Sequence, residues 1–118
     1  MAERHIRGMP MAATREFRFA PPEWTPDLAQ KRAREEQLAL GEDHWEVLRG
    51  LQEFYARHAY VAINMVELQD ALEEKFHHKG GMKYLYTIFP RGPIAQGCRL
   101  AGLKAPAGAT DRGFGSVA

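Results

Sequence analysis

The chain of 118 residues contains one cysteine, Cys98, and no other side chain is better suited to covalent chemistry. A thiol becomes a nucleophile when it loses its proton, and nearby cations and helix N-termini favour that loss. Arg99 follows Cys98 directly, Arg91 lies seven residues before it, and a helix is predicted to begin within about two turns of it. These neighbours predict a modestly lowered thiol pKa. The competing interpretation makes Cys98 a small buried apolar residue, because free cysteine is among the most buried residue types.

Other reaction chemistries find little support in the composition. A single cysteine excludes an internal disulfide and a cysteine-based zinc site. Ser116 is the only serine, and none of the five histidines stands in a pattern that would make it the base for that hydroxyl, so hydrolase chemistry is not expected. His77 and His78 are adjacent and would point in different directions on a helix. We therefore expect neither a metal site nor a cofactor.

The segment around Cys98 divides into a part that can be buried and a part that cannot. Residues 84–89 are mostly aromatic or apolar, and the chain then breaks at Pro90. Pro93 suits the first position of a helix, so residues 94–100 are predicted to be a short helix that Gly102 ends. The remainder, LKAPAGATDRGFGSVA, has too little apolar surface to offset the entropy of ordering it. Residues 103–118 are therefore predicted to form a mobile C-terminal arm.

Three helices are predicted upstream of this segment. The first follows an N-cap at Thr25 and runs over residues 26–37, with its KRAREE stretch largely outward. The second covers residues 42–58, where an aromatic and aliphatic stripe that includes Trp45 and Tyr55 follows helical spacing and indicates core packing. The third begins at an N-cap, Asn64, and ends at glycines 80 and 81. Short consecutive helices can resemble a helix-turn-helix, which keeps DNA binding as a rival function.

Length and composition bound the domain organisation and the partners. The chain is long enough for one small domain, which we expect over residues 17–102 after a loose extension at 1–16. Phe17, Arg18 and Phe19 alternate apolar and polar, which favours a short strand. The formal charge of +1 gives no electrostatic reason to expect nucleic acid. No apolar run reaches the roughly 20 residues of a membrane span, and the start lacks an apolar signal core, so we expect a cytoplasmic protein.

Three stretches of the sequence carry a resemblance to a known family. They are EWTPDLAQKRAREEQ, GEDHWEVLRGLQEFY and above all YLYTIFPRGPIAQGCRLAGLKAPAG, which begins at Tyr84. Together they make the chain similar, over roughly residues 17–109, to the DsrC/TusE sulfur-relay family. This family includes the gamma-type protein of dissimilatory sulfite reductase and protein E of the tRNA 2-thiouridine relay. The resemblance implies a mainly α fold of four to five short helices with a short N-terminal β-hairpin and a swinging C-terminal arm.

The resemblance also implies where sulfur would be carried. Family members hold it on a cysteine close to the end of the arm, and two-thiol members have a second cysteine eleven residues earlier. Cys98 matches the earlier cysteine, and Ala109 occupies the position of the missing sulfur-carrying one. Arg91, Arg99 and Lys104 keep this region locally basic and are the predicted contacts with a protein partner.

Two functions follow from this resemblance. In the first, the protein is a sulfur-relay component that docks on sulfite reductase or on sulfurtransferases, with Cys98 as its sole sulfur-handling thiol. In the second, it is a non-catalytic adaptor or regulator that occupies a partner's docking site, or binds DNA, without carrying sulfur. Both predict a monomer that works through protein partners.

Overall fold

A computed structural model describes residues 17–59 and 61–110. Within these residues the chain folds into five α-helices and one short 3₁₀-helix, and no strand is present. The α-helices are α1 (Pro26–Glu35), α2 (Glu42–Arg57), α3 (Met65–Lys75), α4 (Gly81–Ile88) and α5 (Pro93–Ala101), and the 3₁₀-helix is His77–Lys79. The predicted mainly helical fold is confirmed. None of the described helices is long and apolar enough to cross a membrane.

The predicted strand at residues 17–19 is wrong, because these residues form a turn. The Ala20 amide donates to the carbonyl of Phe17 at 3.3 Å, and the Phe17 ring lies 5.0 Å from the Trp24 ring and 5.7 Å from the Trp45 ring. The chain turns here so that the Phe17 ring is buried between two indole rings. In a strand, the side chains of Phe17 and Phe19 would instead point to the same face of a sheet. The rest of the predicted hairpin lies on residues outside the described part of the chain.

Helix α1 begins and ends on local signals. The Thr25 hydroxyl accepts a hydrogen bond from the Leu28 amide at 3.1 Å, which confirms the predicted N-cap. Ala29 and Ala33 are fully buried, so the helix can approach its neighbours closely. The helix ends two residues before the predicted end, because the backbone turns at Gln37, whose φ is 59°.

Helices α2 and α5 form the centre of the core. Trp45, Val47, Leu48 and Leu51 are buried on α2, which confirms the predicted stripe. The two helices cross closely at Gly97, where an added Cβ would lie 2.8 Å from Cδ1 of Leu51. Glycine at this position therefore sets the distance between α2 and α5.

Helix α4, which follows α3, was not predicted from the sequence. Asn64 caps α3 as predicted, because its side-chain oxygen accepts from the Glu67 amide at 3.0 Å. The glycines after α3 were expected only to end it, but Gly80, with φ of 120°, turns the chain and α4 begins at Gly81. The Glu73 carboxylate stabilises this start by accepting from the Met82 amide at 2.8 Å.

Candidate functional site

Helix α5 places Cys98 in the middle of the domain. The helix begins with Pro93 at its first turn and ends at Gly102, whose φ of 80° is a left-handed C-cap, so the predicted bounds are confirmed to within one residue. Cys98 lies on the face that packs against α2, and its exposed fraction is 0%. A thiol in this position has no direct access to a partner while the helices stay packed.

Tyr55, on α2, lies over the thiol. Its hydroxyl is 3.6 Å from Sγ of Cys98 and donates a 2.6 Å hydrogen bond to the backbone carbonyl of Lys104. Because the one hydroxyl proton is used by that carbonyl, the thiol S–H can donate to the Tyr55 oxygen. The sequence had placed Tyr55 in the core stripe without giving it this contact.

Burial controls the protonation of Cys98. Removing the thiol from water raises its pKa to about 11. At pH 7, Cys98 is then a thiolate in about one protein molecule in ten thousand. The predicted lowering of the thiol pKa is therefore wrong, and the competing interpretation of Cys98 as a buried residue agrees with the geometry.

The two arginines near Cys98 bind a carboxylate instead of the thiol. Arg99 donates to Glu36 through Nε and a terminal nitrogen, each at 2.8 Å, and a terminal nitrogen of Arg91 lies 3.3 Å from the same carboxylate. Gln96 also donates to Glu36, at 2.9 Å. Their positive charge is thus directed toward the C-terminal end of α1, which explains why it does not activate Cys98.

Glu36 binds both arginines near Cys98, but nothing in the sequence indicated that it belongs to the site. It lay in a charged stretch predicted to face outward, yet its side chain is only 12% exposed. Burial acts to raise the pKa of Glu36, but the hydrogen bonds from Arg99 and Gln96 and the charges of both arginines outweigh it and lower the pKa. The carboxylate therefore stays ionised and joins α1 to α5.

The first eight residues of the arm lie back along the domain. The Leu103 amide donates to the carbonyl of Cys98 at 2.8 Å, and Ala109 packs against the core with part of its surface. Further along, an added Cβ on Gly108 would lie 3.8 Å from Cγ of Met65, and one on Gly92 would lie 2.7 Å from the Thr110 carbonyl oxygen. Arm mobility stays a prediction.

The predicted docking residues do not form one cluster. Arg91 and Arg99 meet at Glu36, whereas Lys104 is exposed at the start of the arm and shares with Arg99 only the lining of one groove. The arm position of the missing cysteine, Ala109, is partly buried elsewhere on the domain. Within residues 17–59 and 61–110, no three His, Cys, Asp or Glu side chains come close enough together to hold a metal ion.

The fold and this site define a small helical protein with one buried thiol beneath the root of a C-terminal arm. The chain belongs to the DsrC family: a family model described as "DsrC like protein" matches residues 9–109. The match ends at Ala109, the residue that stands in the arm where the family resemblance predicts a cysteine.

Curated relatives and a solved structure agree with this assignment. Sulfurtransferase TusE of Photorhabdus laumondii is 40% identical over 86 residues, which cover 71% of this chain and 76% of that protein. Sulfurtransferase TusE of Escherichia coli O6:H1 is 41% identical over 86 residues, which cover 71% and 77% of the two chains. The NMR structure of Allochromatium vinosum DsrC is similar with a TM-score of 0.62 and 38% identity, over 75% of this chain and 79% of that one. The family and these relatives support a role in sulfur relay.

Proposed function

We propose that this protein takes part in sulfur relay as a docking component that engages a partner of the pathway but does not itself carry sulfur. The observation that carries the proposal is the state of the sole thiol. Cys98 is completely buried and its pKa is about 11, while the arm position expected to hold the carrier has the methyl group of Ala109. No other side chain of the chain is a thiol.

The chemistry of transfer supports this distinction. A carrier accepts sulfur when its thiolate attacks a donor persulfide, so the thiolate must be populated, accessible and able to reach a second protein. Cys98 fails the first two requirements in the folded domain, because it is protonated at neutral pH and covered by Tyr55. Its place inside a helix packed on α2 limits its reach as well.

The partners in this proposal are sulfite reductase or sulfurtransferases, which the domain would meet as a monomer in the cytoplasm. Lys104 contributes an exposed charge to the docking surface, whereas Arg91 and Arg99 contribute by holding α5 and the arm root in place through Glu36. DNA binding receives less support, because two of the three predicted docking cations, Arg91 and Arg99, share the carboxylate of Glu36 and present less positive charge to phosphates.

Intact-protein mass spectrometry after incubation with a low-molecular-weight persulfide tests the absence of sulfur transfer. We compare the parent protein, Cys98→Ser, Ala109→Cys and the double variant Ala109→Cys with Cys98→Ser. The parent and Cys98→Ser should keep their mass, and both variants with Ala109→Cys should gain one sulfur atom. A gain on the parent that disappears in Cys98→Ser would overturn the proposal.

Competition tests the docking. Increasing amounts of the parent should slow sulfur uptake by a thiol-bearing family carrier from its purified donor protein, because both occupy one docking site. A version truncated after Thr110 separates the effect of the eight following residues from that of the arm itself. If neither the parent nor the truncated version slows uptake, the protein does not dock where a carrier docks, and the proposal is wrong.

One observation favours a second candidate function, sulfur carriage on Cys98. The hydroxyl that covers the thiol is held by the arm backbone at Lys104, so a partner that pulls the arm away would also release Tyr55. In that case the parent gains sulfur on Cys98 only when the partner is present. The same mass measurement, repeated with the donor protein in place of the small persulfide, distinguishes this function from docking alone.

A further inference from the structure

A groove of about 420 Å³ lies between the start of α1 and the root of the arm. Its apolar lining comes from Trp24, which is buried, and from Leu28 and Leu103, which are half-buried. Arg32 and Lys104 line it as well, one from α1 and the other from the arm. The groove therefore combines an apolar surface with cations that belong to two separate elements.

Most of the side-chain N–H donors of Arg32 and Lys104 have no partner within the described residues. Arg32 donates one terminal nitrogen to the backbone carbonyl of Arg99 at 2.9 Å, and within the described residues it makes no ion pair. The Lys104 ammonium has no hydrogen bond or ion pair in the described part of the chain either. Arg99 also borders the groove, but Glu36 balances its charge. Glu23 is the one acidic residue of the lining.

We propose that this groove binds an acidic segment of a protein partner, with carboxylates near Arg32 and Lys104 and an apolar side chain against Trp24 and Leu28. The charge of the groove favours anions, because the unbalanced lining holds two cations and one carboxylate. The apolar lining favours a peptide over a purely polar anion, since contact with Leu and Trp side chains stabilises only ligands that have apolar surface. The inference rests on the proposed docking function and names the chemistry of the partner.

The location also connects this binding to the arm. Leu103 and Lys104 are the first two residues after the C-cap Gly102, and the Lys104 carbonyl holds the Tyr55 hydroxyl. A segment seated in the groove contacts Arg32 and Lys104 together only if the arm root stays in place. Binding should therefore stabilise the docked arm root.

Titration followed by ¹H–¹⁵N NMR tests the proposal. The probe is an acetylated and amidated hexapeptide of alternating glutamate and leucine, at low ionic strength, and its control has glutamine in place of glutamate. The acidic peptide should shift the Trp24 indole N–H, which donates to the Leu100 carbonyl at 2.7 Å, and the amides of Arg32 and Lys104. The glutamine peptide should shift them far less.

Variants that each remove one charge measure how much that charge contributes to binding of the acidic peptide. Arg32→Gln and Lys104→Gln should each raise the Kd by about twofold to fivefold, the range of exposed ion pairs. Lys31→Gln makes the same charge change at the neighbouring position of α1, outside the groove lining, and should leave the Kd unchanged. Glu23→Gln should lower the Kd, because it removes the carboxylate that opposes the ligand.

Three results would overturn the inference. They are equal binding of the two peptides, an unchanged Kd in both Arg32→Gln and Lys104→Gln, and displacement of the acidic peptide by a short DNA duplex that shifts the same signals more strongly. The last result would assign the groove to nucleic acid. The mass and competition experiments do not depend on the peptide, so failure of this inference is distinguishable from failure of the docking function.

Discussion

The Tyr55 hydroxyl lies 3.6 Å from Sγ of Cys98 and joins the buried thiol to the C-terminal arm. The same hydroxyl donates to the Lys104 carbonyl at 2.6 Å, and burial, together with proximity to the thiol, raises the pKa of Tyr55 above its usual value. It is therefore protonated at neutral pH. One neutral hydroxyl group thus connects the exposure of Cys98 with the position of the arm root.

Removing this hydroxyl should make the thiol more reactive. Tyr55→Phe deletes a hydrogen bond worth about 1 kcal/mol and leaves the ring in place, so local opening over Cys98 becomes easier. We expect the rate of labelling by an aromatic disulfide reagent to rise about fivefold under native conditions. Absorbance of the released thiolate measures that rate.

Tyr84→Phe is the matched control for general loosening of the fold. It also deletes a tyrosine hydroxyl that donates a side-chain hydrogen bond, in this case to Asp43, remote in sequence from Cys98. The control should leave the labelling rate unchanged. Equal acceleration in the two variants would mean that Cys98 is labelled through global unfolding and that Tyr55 does not cover it specifically.

Glu36→Gln should destabilise the domain by about 1–3 kcal/mol, the range for hydrogen bonds to charged groups. The substitution leaves Arg99 and Arg91 without their shared carboxylate at a partly buried position. Glu35→Gln, at the exposed neighbouring residue, should change the free energy of unfolding by less than about 0.5 kcal/mol. Urea unfolding measures both, and equal effects would show that Glu36 is not the residue that joins α1 to α5.

The same carboxylate gives stability a defined acid dependence. The pKa of Glu36 is lower in the folded state than its ordinary value of 4.5, so below that pH the unfolded chain binds protons more readily. Its stabilising contribution is present above pH 4.5 and is lost as pH falls through the folded pKa. The unfolding free energy should therefore decrease less steeply below pH 4.5 in Glu36→Gln than in the parent.

His44 predicts a separate pH effect near neutrality. Its Nδ1 accepts from the Gly41 amide at 2.9 Å, so its Nε2 carries the proton and donates to the Ile88 carbonyl at 2.8 Å. Burial lowers the pKa of His44 below 6.5, which means that its stabilising contribution is present above pH 6.5 and decreases as pH falls. The free energy of unfolding should fall between pH 7 and pH 5.

Two histidine variants measured across this range assign the effect. His44→Gln should remove most of the pH dependence between pH 7 and pH 5, whatever it does to the absolute stability. His78→Gln changes an exposed histidine and should keep the slope of the parent. A slope that survives in His44→Gln contradicts the prediction.

Two glycine variants test the close crossing of α2 and α5. Gly97→Ala places a Cβ 2.8 Å from Cδ1 of Leu51, whereas Gly50→Ala places one 3.6 Å from Cε of Lys75, an ordinary contact. Both lie inside helices and gain the same helix propensity, so the difference between them reports packing. Gly97→Ala should be less stable than Gly50→Ala by about 1–3 kcal/mol in thermal or urea unfolding. Equal stability would show that Leu51 moves aside freely.

Local signals in the sequence were sufficient to predict most of the helices. Caps such as Thr25 and Asn64 act within one turn, and Pro93 and Gly102 bound α5 through their own backbone preferences, so each could be predicted without tertiary contacts. Helix α4 escaped prediction because Gly80 and Gly81 are also the usual end of a helix. The strand at residues 17–19 failed because the burial of Phe17 between two tryptophans outweighs the alternation of three residues.

The sequence by itself determined the family and the absence of a thiol from position 109, because both depend only on which residue stands where. The tertiary structure decided the chemistry of Cys98. Arg99 is its neighbour in sequence, but side chains next to each other on a helix point apart, and Arg99 turns to Glu36, 63 residues away in the chain. Burial and the Tyr55 contact then set the thiol's pKa and access, and both arise from the packing of α2 on α5.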